Sequence, residues 1–159
     1  MHPICCAKEY LQMSLSDLSI KVKDRKIQKI YGLNSCIGEI KIGDFHETFV
    51  MPLDWWAIED YEKQWKEGIE RIKYHDSSCL VTTVQNLDSD PFIDWWVLYK
   101  NNKTIIVYNQ ILLDELLEKS KYKFENLSLF SIQTCYSYIG PKKLSAKINE
   151  KISKWEITF

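Results

Sequence analysis

Between residues 52 and 73 the apolar positions recur three or four apart: Ile58, Tyr61, Trp65, Ile69 and Ile72 form one stripe, and Glu59, Lys63, Lys66, Glu67 and Glu70 fall off it. That period is helical. It predicts a long amphipathic helix over 56–73 with an aromatic underside. Pro52 ends the preceding segment, and Asp54 stands where a capping side chain would accept the free amides of the first turn. Elsewhere the period shortens to two. Ile40 and Ile42 alternate with Glu39 and Lys41, Gly43-Asp44 supplies a turn, and Phe45, Glu47, Phe49 and Met51 continue as the return strand. Residues 77–85 are rich in β-branched side chains, which predicts another strand, and 86–91 break it. Residues 94–99, containing Trp95, Trp96, Val97 and Leu98, are apolar on both faces and belong at a sheet centre, paired through Asn101-Asn102 with a strand over 104–108.

The remaining segments are less regular. Leu112, Leu113, Leu116 and Leu117 give a short helix over 114–119 its inner side, and 127–138 is mixed and strand-like. Gly140-Pro141 is a turn, 142–150 a basic polar stretch, and 151–159, with Ile152, Trp155 and Ile157, a closing strand. Near the start, Leu18, Ile20 and Val22 alternate as in a strand, although Ser14 to Asp17 fits a helix start equally well. The stretch from Gly32 to Gly38 reads as a joint between an N-terminal arm, 1–35, and a single body, 36–159. The predicted class is α+β: a mainly antiparallel twisted sheet packed against one long helix, with one or two shorter helices. Trp56, Ile58, Tyr61, Trp65, Ile69, Trp96 and Leu98 are its expected core.

With 45% hydrophobic and 13% aromatic residues, 159 residues suffice for one domain with a real core. No apolar run approaches the roughly 20 residues that span a bilayer, and the first residues lack the order of a secretory signal, so a cytoplasmic protein without membrane contact is expected. Cysteines at 5, 6, 36, 79 and 135, without a C-x-x-C pair, fit reduced thiols, Cys79 and Cys135 among them as small core residues. Charge changes the picture more. The formal net charge of -1 conceals a middle, residues 44–118, with 15 Asp and Glu against 6 Lys and Arg, a net of -9 that leaves about +8 for the flanks. The simple reading is a solvated surface whose charges mix on folding; the sharper one is an acidic face for a basic partner.

Candidate chemistry is sparse. His2, His46 and His75 lack metal-ligand spacing. Asp88, Asp90 and Asp94 crowd one loop without the glycine and terminal Glu of a calcium loop, so loop solvation is the simpler reason for them. Neither phosphate-binding loops nor a nucleophile elbow occur, and Glu59 and Asp60 point about 100° apart on a helix, which separates them as an acid/base pair. No catalytic residue, metal or cofactor is predicted. Trp55, Trp56, Trp95, Trp96 and Tyr99 are numerous enough to stack bases, but they lie in the acidic middle, where phosphates are repelled. Core packing explains them better. A single-stranded nucleic-acid-binding sheet is therefore the alternative reading, and a small enzyme without a recognisable motif a further one.

The pattern Pro52-Leu53-x-x-Trp56-x-Ile58-x-Asp60-Tyr61-x-x-x-Trp65, followed by Trp96-Val97-Leu98-Tyr99 and Val107-Tyr108-Asn109-Gln110, resembles the immunity proteins of bacterial contact-dependent growth inhibition. The hairpin before the helix and Ile152-Ser153-Lys154-Trp155-Glu156 fit as well, so the resemblance covers roughly 38–157. It implies an intracellular antitoxin that binds the C-terminal toxin domain of its cognate partner, often a nuclease, and blocks it without catalysis. Residues 1–35 have no counterpart in it. The shared pattern is mostly apolar and marks a fold, so contacts are sought among polar positions instead. Charge selects Asp44 and Glu47 on the first hairpin, and Asp88, Asp90 and Asp94 on the loop before the Trp96 strand, as toxin-binding residues. For the core, Trp65→Ala is expected to lower unfolding free energy by about 3–5 kcal/mol in urea titrations; a variant as stable as the parent would remove Trp65 from the core.

Overall fold

The computed structural model describes residues 14–120, 122–141 and, for their backbone, 154–158. Strands β1 (Leu18–Ile30), β2 (Leu33–Ile42) and β3 (Phe45–Pro52) form one antiparallel sheet in that order. A second antiparallel sheet holds β4 (Ser77–Gln85), β5 (Phe92–Asn101), β6 (Thr104–Leu112) and β7 (Lys154–Thr158). Helix α1 (Ile58–Ile72) joins the sheets, and α2 (Asp114–Glu118) with 3-10 turns at Leu127–Leu129 and Cys135–Tyr138 lies between β6 and β7. The class is α+β, but the single sheet expected from the pattern is two. The stretch from 127 to 138 is turns rather than strand, because its apolar residues serve as plugs: Leu127, Phe130, Cys135 and Tyr138 are all buried.

Two further readings change at the N-terminal end. Residues 18–30 take the strand alternative, and the supposed joint from Gly32 to Gly38 lies mostly within β2, where Ser35 and Cys36 are fully buried. The break is confined to Tyr31 and Gly32, whose φ of 51° and 79° make the β1–β2 turn. Helix α1 also starts later than Asp54 suggests. Residues 54–56 bend so that Trp56 is buried, Ala57 takes the N-cap position, and its N–H donates to Asp60 Oδ2 at 2.8 Å. Asp60, at the third helical position, thus occupies the favourable end of the helix dipole in place of Asp54.

The helix does not cover the face of the Trp96 strand. It runs along β4, and its side chains bond the backbone of that strand. Gln64 donates from Nε2 to Cys79 O (2.8 Å) and accepts at Oε1 from Val81 N–H (2.7 Å); Trp65 Nε1 donates to Val81 O (2.6 Å). Tyr61 accepts from Val84 N–H (3.1 Å) while donating to Pro52 O (2.8 Å), and Arg71 Nε donates to Ser77 O (3.1 Å). Each buried backbone group left without such a partner would cost about 1–3 kcal/mol.

Strand β5 remains apolar on both faces, and each has a cover. On one side β3 brings Phe45 to Trp96, ring centroids 6.2 Å apart, and Phe49 to Trp65 of α1 at 5.8 Å. On the other, Phe130 packs edge-on to Trp95 and stacks on Trp56, both at 5.8 Å, and Tyr99 donates to Gly140 O at 2.7 Å. The expected core residues Trp56, Tyr61, Trp65, Trp96 and Leu98 are buried, and Ile58 and Ile69 are half-buried against the same cluster. Cys79 and Cys135 are buried free thiols, their Sγ atoms 3.9 Å apart. Among the described residues no helix is long and apolar enough to cross a membrane.

Gly68 sets how closely helix and strand approach. Ser78 Oγ donates to Gly68 O at 2.6 Å, and a Cβ at position 68 would lie 2.3 Å from Cys79 O. Helix propensity alone favours alanine over glycine by about 1 kcal/mol, but the obstacle is backbone. The clash therefore wins: Gly68→Ala is expected to lower stability by about 1–3 kcal/mol in urea denaturation, and a stabilised variant would show that helix and strand do not touch here.

Candidate interaction surface

Of the five acidic residues singled out by charge, four stand where they were expected, on the first hairpin and on the loop after β4. Asp44 is exposed at the β2–β3 turn, where Gly43 supplies a φ of 59°, and Glu47 is exposed on β3. Asp88 and Asp90 are exposed in the β4–β5 connection, which turns on Asn86 with φ 57° and closes with Ser89 N–H donating to Asn86 O at 3.1 Å. Asp94 differs from the loop position expected for it. It is the third residue of β5, paired with Ile111 of β6, and its side chain is half-buried. Strand alternation explains the difference: Asp94 lies on the Trp96 face, and the loop ends at Pro91.

Asn109 holds that carboxylate. Its Nδ2 donates to Asp94 Oδ1 at 2.8 Å and to Trp95 O at 3.1 Å, while Thr82 Oγ1 donates to Asp94 O at 2.9 Å. Burial pushes the Asp94 carboxyl up to about 6, against the pull of the Asn109 hydrogen bond, and the negative charge of Glu47 adds to the rise. The structure therefore brings Glu47 and Asp94 together from different sheets. The two sheets meet beside them, where Thr83 Oγ1 of β4, the residue paired with Asp94, donates to Val50 O of β3 at 2.7 Å.

Asp88 has a neighbour that charge alone does not indicate. Trp55, half-buried in the bend before α1, donates from Nε1 to Asp88 Oδ1 at 3.3 Å, joining the 53–57 bend to the acidic loop. Two acidic sites result: Asp88 with the half-buried Trp55 indole, and the half-buried Asp94 with Glu47 and with its cross-strand partner Ile111, which is 38% exposed. Asn109 lies beyond the strand expected over 104–108, and its polar type within the longer β6 is the one signal that could have found it; Trp55 carried no signal beyond its type. Among the described residues, no three His, Cys, Asp or Glu side chains are gathered to hold a metal ion. The groove of about 520 Å³ along the outer side of α1 is lined by Lys63, Lys66, Glu67, Glu70 and Arg71, an alternation of charge typical of a solvated helix face.

The Asp94 shift has a sign that can be tested. A carboxyl raised in the folded state stabilises the fold only while protonated; that contribution is complete below the unfolded value near 3.8 and is lost as pH rises through about 6. Asp94→Asn keeps an acceptor for Asn109 and abolishes the titration. The variant is expected to match the parent near pH 4 and to exceed it by on the order of 1–3 kcal/mol at pH 8. Paired denaturation curves across this range check it, and a parity that persists to pH 8 would contradict the burial of the charge.

Comparison with known proteins bears on the chain as a whole. A family model described as the CdiI N-terminal domain matches residues 51–159. The curated immunity protein CdiI of Enterobacter cloacae subsp. cloacae is 29% identical over 117 residues, 73% of this chain and 74% of that protein. In the solved CdiA-CT/CdiI toxin and immunity complex from Enterobacter cloacae, one chain superposes with a TM-score of 0.64 at 23% identity, covering 89% of this chain and 90% of that one. This last likeness is one of fold.

Proposed function

The chain belongs to the CdiI family that its helix and Trp96 strand resemble, and on that premise we propose that it binds and neutralises the cognate toxin domain of a contact-dependent inhibition system. The relative named above is an immunity protein, and the structural neighbour comes from a toxin and immunity complex. We take the binding to be non-catalytic, the place of action the cytoplasm, and the body from residue 36 onward the immunity unit, with β1 added to its first sheet. The partner is the toxin's C-terminal domain, and a nuclease fits the acidic surface best, because enzymes that hold phosphates present basic residues.

The observation that carries the reading is Asp94 beside Glu47. At neutral pH the fold retains a half-buried carboxylate, with a second carboxylate raising its cost, where asparagine would serve packing equally well. Such a group is explained when a partner supplies the missing cation: a Lys or Arg placed between Glu47 and Asp94 restores the solvation that burial removed. Asp88 and Asp90, both exposed, act at longer range and speed the encounter; Asp44 extends the same field along the hairpin.

The test combines Asp88→Ala, Asp90→Ala and Asp94→Asn. The triple variant is expected to melt no lower than the parent, to bind the toxin domain at least about tenfold more weakly at low salt, and to protect toxin-exposed cells poorly. Unchanged association rate and affinity at low salt would remove this surface from the interface.

A further inference from the structure

The β1–β2 hairpin carries a second exposed surface that the acidic face leaves unexplained. Its pairing register passes from Asp24↔Ile37 to Gln28↔Ser35, so residues 25–27 bulge out of the ladder, fixed by Lys26 N–H donating to Asp24 Oδ1 at 2.9 Å. Ile27, in the bulge, is 58% exposed, and Tyr31, at the tip, is 95% exposed. The turn has positive φ at both central residues, 51° at Tyr31 and 79° at Gly32. Such two-residue turns favour Asn-Gly, and a bulky aromatic at the first position is strained. An almost fully exposed ring is thus kept where the backbone disfavours it.

Charge narrows the occupant. Residues 18–33 hold Lys21, Lys23, Arg25, Lys26 and Lys29 against Asp24. Arg25 is engaged by Glu62 of α1 at 3.0 Å and Lys23 approaches Glu39 at 3.9 Å, whereas the ammonium groups of Lys26 and Lys29 make no ion pair among the described residues. Lysines on an edge strand commonly guard it against pairing with other strands. That accounts for the cations and also repels a second copy of this chain. It does not account for Ile27 or for a strained Tyr31, since a guard gains nothing from exposed apolar groups.

The tip also lies near the acidic surface. Leu53 N–H donates to Asn34 O at 2.8 Å, and Asn34 is two residues beyond the Tyr31-Gly32 turn, so the bend that carries Trp55 and meets Asp88 starts beside the tip end of the hairpin. Resting on the immunity reading, we infer that the hairpin tip is a second anchor for the same toxin domain. Tyr31 enters an apolar slot on the toxin, and Lys26 and Lys29 meet carboxylates at its rim. A protein fits better than a single-stranded nucleic acid, because one exposed ring offers one stacking surface and the adjoining loop is acidic.

The experiment uses the full chain and the C-terminal domain of its cognate toxin. Tyr31→Asn relieves the turn, so it is expected to melt at or above the parent temperature while binding that domain about tenfold to thirtyfold more weakly, mainly through faster dissociation. Lys26→Glu with Lys29→Glu is expected to weaken binding and alter its salt dependence. Tyr31→Asn binding as tightly as the parent would overturn the inference while leaving the immunity reading intact. Loss of binding to a single-stranded oligonucleotide, with toxin binding unchanged, would also overturn it and assign the tip to nucleic acid. A parent chain that fails to bind the toxin domain overturns both.

Discussion

The structure depends on how the outer edge of β4 is satisfied. An edge strand presents unpaired amides and carbonyls, and here a helix supplies the partners that another strand would have supplied. Gln64 does most to mimic a neighbouring strand, accepting from one residue and donating to another two positions away. Trp65, Tyr61 and Arg71 extend the same service along β4. The arrangement needs close approach, which Gly68 permits, and side chains with both donors and acceptors on a helix face that would otherwise be apolar.

From this follows the division into two sheets. With its outer edge occupied by α1, β4 cannot continue the ladder of β3, and the strands meet through a side-chain hydrogen bond from Thr83 and through the Tyr61 hydroxyl. The first sheet then serves as a cover for the second. Phe45 and Phe49 reach Trp96 and Trp65, and the irregular segment around Phe130 covers the opposite face. The acidic surface arises at the seam: Glu47 comes from one sheet and Asp94 from the other.

Much of this was legible in the sequence wherever one interaction dominated. The stripe from Ile58 to Ile72 and the alternation in the hairpins follow from burial on one face, and a turn at Gly43 follows from a backbone requirement. Position relative to other elements was not legible. Gln64 reads as a neutral polar residue on a helix, and nothing local says that it will bond a strand. The turns after residue 126 mislead for a related reason: their apolar residues are spaced by the shape of the cavity they fill rather than by a repeat. At the acidic positions, charge alone placed Asp94 on a loop, whereas it stands half-buried in β5, because a carboxylate held by one asparagine across a strand pair leaves no periodic trace.

The Tyr61 hydroxyl has a further effect. By accepting from Val84 N–H and donating to Pro52 O, one phenol pins the end of β3 to the end of β4. The 53–57 bend and the acidic loop start from those two strand ends, and Trp55 and Asp88 join them again farther out. Both ends of the surface are therefore tied before any partner arrives. Ordering a flexible loop consumes entropy at the moment of association, and a loop already ordered by the core does not incur that loss. On the proposed reading, the buried phenol would add to affinity through rigidity rather than through contact.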